Sequence, residues 1–204
     1  MRTISEGQLV IEPARLEGIL AFLQAAEQLK DTLRSGRTRQ GRAESTAEHS
    51  WRLCLMALIF ERELVGLDMA RLLKLMVVHD LGEAISGDTP AVEQRADPHR
   101  AERERADLIA LCGPLPTDLS ETIVGIWDDY AAGRSPEAVI AKGFDKIETM
   151  MQHLVGLNNP RFDYAFNLTY GIKYTEKHPL LRQIRRIVDA ETSARAGLPS
   201  GEPK

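Results

Sequence analysis

The chain has 204 residues, 43% hydrophobic and 27% charged, with a formal net charge of -4 at pH 7. That length supports one domain with a sizeable core, and the slight acidity leaves no electrostatic footprint for nucleic acid or an anionic membrane. The longest apolar run, LCLMALIF, is far too short to span a bilayer.

Apolar residues recur at helical spacing along most of the chain, and no alternating strand stands out. A first helix is predicted from about Pro13 to Thr32, with Leu16, Ile19, Leu20, Leu23 and Leu29 on one face. The basic stretch RSGRTRQGRAE follows as a loop. A second helix starts after Ser45, where STAE has the form of a capping box, and stops near Gly66. A third starts after Asp68 and ends at His79 and Asp80. GDTPAVEQRADP is read as a loop. Further helices are expected at about His99–Leu111, Asp118–Ala131, Pro136–Leu157, Phe162–Tyr174 and Pro179–Ala194, with Ser135 and Pro136 as a cap and first-turn proline. The fold class is therefore all-α: a single helical bundle of about seven or eight helices over residues 1–195, with 196–204 as a disordered tail. The opening MRTISEGQLVIEPARL contains no apolar leader core. Cys54 and Cys112 sit in apolar contexts, as buried thiols do. A cytoplasmic protein is expected.

The chemistry concentrates in VVHDLGEAISGD, which closes an apolar run with a histidine–aspartate pair and follows it with two more acids. Such a pair alone is weak evidence of a site. His49 near the start of the second helix and Asp145 on an otherwise apolar helix face give it company. A buried carboxylate needs a partner, and a metal is a good one. Two imidazoles and two carboxylates suit a borderline divalent cation, Mn, Co, Fe, Ni or Zn. Plainer readings also exist: a helix cap around His49, a core histidine at 79, and an ion pair of Asp145 with Lys142 or Lys146.

The motifs RAESTAEHSWR, LMVVHDLGEAISGDTP and AKGFDKIETMMQHL resemble the signatures of the HD-domain metal-dependent phosphohydrolases, and most closely the 5'-deoxynucleotidases among them. The resemblance runs from about Leu16 to Tyr174. It implies that His49, His79, Asp80 and Asp145 hold one divalent metal ion, and that Glu83 and Asp88 are catalytic acids. It also implies that Asp88, Thr89 and Pro90 line the nucleotide site and that Arg34 contacts substrate. The implied reaction is hydrolysis of (2'-deoxy)nucleoside 5'-monophosphates to nucleoside and phosphate. Glu83 lies four residues after His79 and can face the metal if the helix persists that far. Gly82 and Gly87 would let the backbone turn sharply there. His99, His153 and His178 form no second ligand set, which favours one metal.

This chain departs from the family at Arg37, where an aromatic residue would help to select the deoxy sugar. Arg42 is an alternative brace for the acidic residues of the motif. RFDYAFNLTYGIKY gathers five aromatics and, with the resemblance, suggests a homodimer. The competing readings are a catalytically silent HD domain that binds nucleotides or partners, and a dinuclear oxygenase or cyclic-nucleotide phosphodiesterase. The intact acid and histidine set argues against the first, and the missing extra ligands against the second.

Overall fold

The structure, a computed structural model, describes residues 11–90 and 98–198. Most of the expected tail, 199–204, lies outside the described residues, as does the middle of the loop after Pro90. In chain order the elements are α1 (Pro13–Ala26), β1 (Leu33–Arg37), β2 (Ala43–Ser45), α2 (Thr46–Ile59), α3 (Met69–Val78), α4 (Glu83–Ser86), α5 (Arg100–Leu111), α6 (Thr117–Ala132), α7 (Pro136–Val155), α8 (Tyr164–Asn167), α9 (Ile172–Thr175) and α10 (Pro179–Arg195). Among the described residues seven of these helices have ten or more residues, so the expected all-α bundle is present.

The helix starts follow their capping chemistry. The Ser45 hydroxyl accepts from the Glu48 N–H at 3.2 Å, and Glu48 accepts from the Ser45 N–H at 2.9 Å, the reciprocal box expected from STAE. Asp68 caps α3 and Ser135 caps α7.

Four elements differ from the sequence expectation. The first helix ends at Ala26 rather than Thr32 and the second at Ile59 rather than near Gly66, each followed by a short 3-10 turn, Glu27–Lys30 and Glu61–Glu63. The basic loop is a small antiparallel hairpin of β1 and β2. Its turn is closed by Gly41 N–H to Thr38 O at 2.9 Å, with Gly41 at φ 86°, a conformation that favours glycine. The expected Phe162–Tyr174 helix is instead two single turns, α8 and α9, divided by Gly171 at φ 70°.

Two apolar clusters form the core. One gathers Leu53, Leu72, Leu75, Phe144, Ile147 and Leu181 from α2, α3, α7 and α10. The other gathers Phe22, Val78, Leu81, Leu108, Leu111 and Trp127. Burial of such side chains contributes roughly 1.5–3 kcal/mol each. α3 supplies both clusters and stops where they meet, so His79 and Asp80 emerge at the seam. α7 packs on α2, α3, α6, α9, α10 and β1. Its buried polar row, Asp145, Glu148, Thr149 and Gln152, follows helical spacing on one face and looks into the same seam.

Candidate metal centre

The α-helix of α3 ends at Val78, and the next residues run in tight turns, with Leu81 N–H to Val78 O at 3.1 Å and Glu83 N–H to Asp80 O at 3.0 Å. Glu83 therefore opens α4 rather than extending α3, yet it is still turned inward and buried. The two motif glycines act differently from one another. Gly87, at φ 82°, makes the turn. Gly82 has helical angles and serves close packing: a Cβ there would lie 2.4 Å from the Glu104 carbonyl oxygen of α5.

The structure brings His49, His79, Asp80 and Asp145 together. The Nε2 atoms of His49 and His79 face each other at 3.3 Å. Asp80 Oδ2 is 2.9 Å from His79 Nε2 and 3.8 Å from His49 Nε2, and Asp145 Oδ1 is 3.4 Å from His49 Nε2. Each imidazole uses Nδ1 elsewhere. His79 Nδ1–H donates to Met76 O at 2.7 Å, and His49 Nδ1–H donates to the Glu148 carboxylate. With each Nδ1 committed elsewhere, the two Nε2 atoms and an Asp145 carboxylate oxygen lie close enough together to share one cation, and Asp80 Oδ2 sits at the edge of that group beside His79. The surroundings of His49 favour positive charge: burial and Arg34 press its pKa down, and the Glu148 and Asp145 carboxylates overcome both, raising it to about 10, so a proton takes up at Nε2 the place that a cation would otherwise fill. The donor set fits a divalent metal.

Asp145 uses its other oxygen, Oδ2, to accept from the Tyr130 hydroxyl at 2.7 Å and to pair with Lys146 at 2.8 Å. The plain ion pair is thus real and coexists with the metal geometry. Glu148 also accepts from Arg52 Nε at 2.6 Å, and Trp127 donates to the His79 carbonyl at 3.0 Å. Glu44, His49 and Glu148 also cluster, but Arg34 and Arg52 already bring positive charge to these carboxylates.

Around this centre lie the other expected residues. Glu83 is buried, and Thr46 Oγ1 donates to its Oε2 at 3.1 Å. Burial, with the charges of Asp80 and Asp88, pushes its pKa up to about 9. Burial likewise raises Asp88. Arg34 reaches in from β1: Nη1 donates to Asp80 Oδ2 at 3.2 Å, Nη2 donates to Thr149 Oγ1 at 3.2 Å, and Asp88 is 4.0 Å away. Thr89 and Pro90 continue the loop, half-buried. Arg42 pairs with Glu48, the residue before His49, at 3.0 and 2.5 Å, the bracing role considered for it.

One expectation needs correction. Arg37 does not face the centre. It is exposed, three residues from Arg34 and so on the other face of β1, and it donates to the Gly41 carbonyl at 2.9 Å. Of the five aromatics of 161–174, Phe166, Tyr170 and Tyr174 line a cavity of about 840 Å³ that opens onto His79, Asp80 and Asp145. The sequence reading passed over Tyr130, Glu148, Trp127 and Arg52. The polar spacing 145, 148, 149, 152 within an apolar helix was the available signal for Glu148. Nothing local marks the other three.

The family profile described as HD domain matches residues 26–185. The 5'-deoxynucleotidase HDDC2 of Bos taurus is 31% identical over 193 residues, covering 91% of each chain. The human protein of that name is 28% identical over 195 residues, again 91% of each. The 5'-deoxynucleotidase hdd1 of Schizosaccharomyces pombe is 31% identical, over 68% of this chain and 72% of its own length. Among solved structures, a predicted metal-dependent phosphohydrolase from Magnetospirillum magnetotacticum MS-1 superposes with a TM-score of 0.79 at 24% identity, over 93% of this chain and 99% of that one. That likeness concerns the fold.

Proposed function

The chain belongs to the HD-domain family, and on that premise we propose that it is a metal-dependent hydrolase of (2'-deoxy)nucleoside 5'-monophosphates. The grouping of the His49 and His79 Nε2 atoms with an Asp145 carboxylate oxygen, with Asp80 beside His79, carries the reading. The names of the relatives supply the substrate class. His49, His79, Asp80 and Asp145 would hold one divalent ion; Mn, Co, Fe, Ni and Zn all suit the set. When bound, the ion activates water and neutralises phosphoryl charge.

Water adds to phosphorus, the bond from phosphorus to the 5'-oxygen breaks, and the nucleoside leaves with a proton on that oxygen. The chain's own residues divide the rest. Thr46 fixes Glu83 Oε2, which leaves Oε1 to exchange a proton at the reacting groups. Asp88, in the loop with Thr89 and Pro90, positions the sugar side. Arg34 holds Asp80 in place and offers its guanidinium to the phosphate.

A homodimer and a cytoplasmic setting belong to the same reading. The free Cys54 and Cys112 support the second, and among the described residues no helix is long and apolar enough to cross a membrane. The test is phosphate release from matched ribo and deoxyribo monophosphates, after chelation and with each metal restored. Full turnover in metal-free protein, or no release from any nucleotide with any metal, would overturn the proposal.

A further inference from the structure

Most cations near the cavity have a carboxylate partner. Arg34 has Asp80, Lys146 has Asp145 at 2.8 Å, and Arg100 has Glu104 at 2.6 Å. Lys142 has none among the described residues within ion-pair distance. It sits on α7 one turn before Asp145 and lines the same cavity as His79, Asp80 and Asp145. Its ammonium lies 4.3 Å from the centre of the Tyr130 ring and 5.3 Å from that of Tyr174. Among the charges that act on it most strongly, Lys146, Lys173 and Arg100 oppose its charge and Asp145 favours it. Burial, then Lys146, lowers its pKa to about 8.

The position is also fixed. The Tyr130 hydroxyl is bonded to Asp145 Oδ2, so the ring under Lys142 is anchored on a candidate metal ligand. Tyr174 also lies under Lys173, at 4.8 Å. A chain of net charge -4 thus gathers positive charge at one wall of the cavity that holds its metal set. Aromatic faces hold an ammonium without neutralising it, so the charge stays available to an anion entering the cavity.

We infer that Lys142 is an anion-binding residue of this site, whose ammonium, held between Tyr130 and Tyr174, takes a tetrahedral phosphate. The phosphate is either the phosphoryl group of a bound nucleoside monophosphate or the free phosphate that hydrolysis leaves. Only the source of the anion rests on the function proposed above. Lysine binds phosphate as a compact point charge, and Lys142 would complement Arg34, which reaches the centre from β1.

The experiment compares wild type, Lys142→Met and Lys142→Arg as metal-loaded protein. Calorimetry with inorganic phosphate measures binding without turnover, and steady-state kinetics with a nucleoside monophosphate gives KM and kcat. Lys142→Met is expected to weaken phosphate binding, raise KM, or both, by about ten- to a hundredfold, the scale of one charge-assisted hydrogen bond. The metal content should stay unchanged, and Lys142→Arg should recover most of the loss. A change confined to KM assigns Lys142 to the substrate, and one confined to calorimetry assigns it to free phosphate. If wild type hydrolyses no nucleotide while Lys142→Met still loses phosphate, the function falls and the anion site stands. Equal phosphate binding and equal KM in wild type and Lys142→Met, or a loss that tracks metal content or is not recovered by arginine, would overturn the inference.

Discussion

α3 and α7 bring candidate ligands to the same point by opposite constructions. α3 stops at Val78, and the residues just past its end present His79 and Asp80 to the centre. The support there mixes backbone and side chain: Met76 O orients the His79 ring, Trp127 holds the His79 carbonyl, and Arg34 holds Asp80. α7 runs straight through the centre and presents Asp145 from its middle. The mid-helix backbone is already committed to the helix, so every support must be a side chain. Tyr130 and Lys146 hold Asp145, and Glu148, one turn further on, orients His49. A ligand at a helix end can therefore be secured with few special residues. A ligand inside a helix needs a buried polar network, and such a network fails when one member is lost.

The largest expected difference between the two sides follows from removing charge without volume. Asp80→Asn and Asp145→Asn should both empty the metal site and reduce turnover to the detection limit. Only Asp145→Asn should also destabilise the fold strongly, by up to about 3 kcal/mol, because the Lys146 ammonium loses its carboxylate in a mostly buried setting. Arg34 keeps Glu44 and Asp88 nearby when Asp80 is neutralised. Metal analysis and urea melts of the two variants check this, and equal stability losses would break the contrast.

Glu83→Gln probes what the helix end makes possible. α4 begins only because α3 has ended, and it places a buried acid beside the centre. The variant should retain metal while kcat falls about 10²–10⁴-fold, the usual contribution of a general acid–base group. A wild-type kcat would remove Glu83 from the reaction. Glu148→Gln probes the α7 side with a smaller effect. It weakens the acceptor that fixes the His49 tautomer and should cost about ten- to a hundredfold in metal affinity, read by competition with a metal-binding dye. No side-chain substitution at Met76 can do the same to His79, because the acceptor there is a backbone carbonyl.

The same contrast explains what could be read from the sequence. His79 and Asp80 interrupt an apolar run, and the acids after them crowd into a few residues, so the helix-end half was legible. Asp145 was legible as a carboxylate on an apolar face. Tyr130 and Trp127 were not, because they come from α6 and meet the centre only through packing. The hairpin escaped for a different reason. Its inward residues are Arg34 and Gly36 and its outward ones Leu33, Ser35 and Arg37, so neither face carries the apolar alternation that marks a strand. The break at Gly171 was masked by aromatics at helical spacing. A Cβ there would approach the Lys146 side chain to 2.6 Å, a constraint visible only once α7 is in place.

The smallest expected effect belongs to Arg37. The expectation from the family resemblance is a role for this position in selecting the sugar. The geometry assigns it to the hairpin. Its neighbour Gly36 and its partner in spacing Arg34 face inward, and Arg37 faces out, its guanidinium returned to the Gly41 carbonyl. Its contact with the core is through its own backbone, where the carbonyl accepts from Gln152 at 2.5 Å, and substitution of the side chain preserves that bond. Arg37→Ala should therefore change stability by no more than about 0.5 kcal/mol and leave the deoxy-to-ribo ratio of kcat/KM as it is in wild type. Arg37→Trp should do the same, since an aromatic ring at this place would also point away from the centre. The measurement is kcat/KM for matched deoxy and ribo monophosphates in all three proteins. A ratio that shifts in either variant would mean that β1 turns this face toward the nucleotide when substrate binds. Selection of the sugar would then involve the hairpin as well as the loop of Asp88, Thr89 and Pro90.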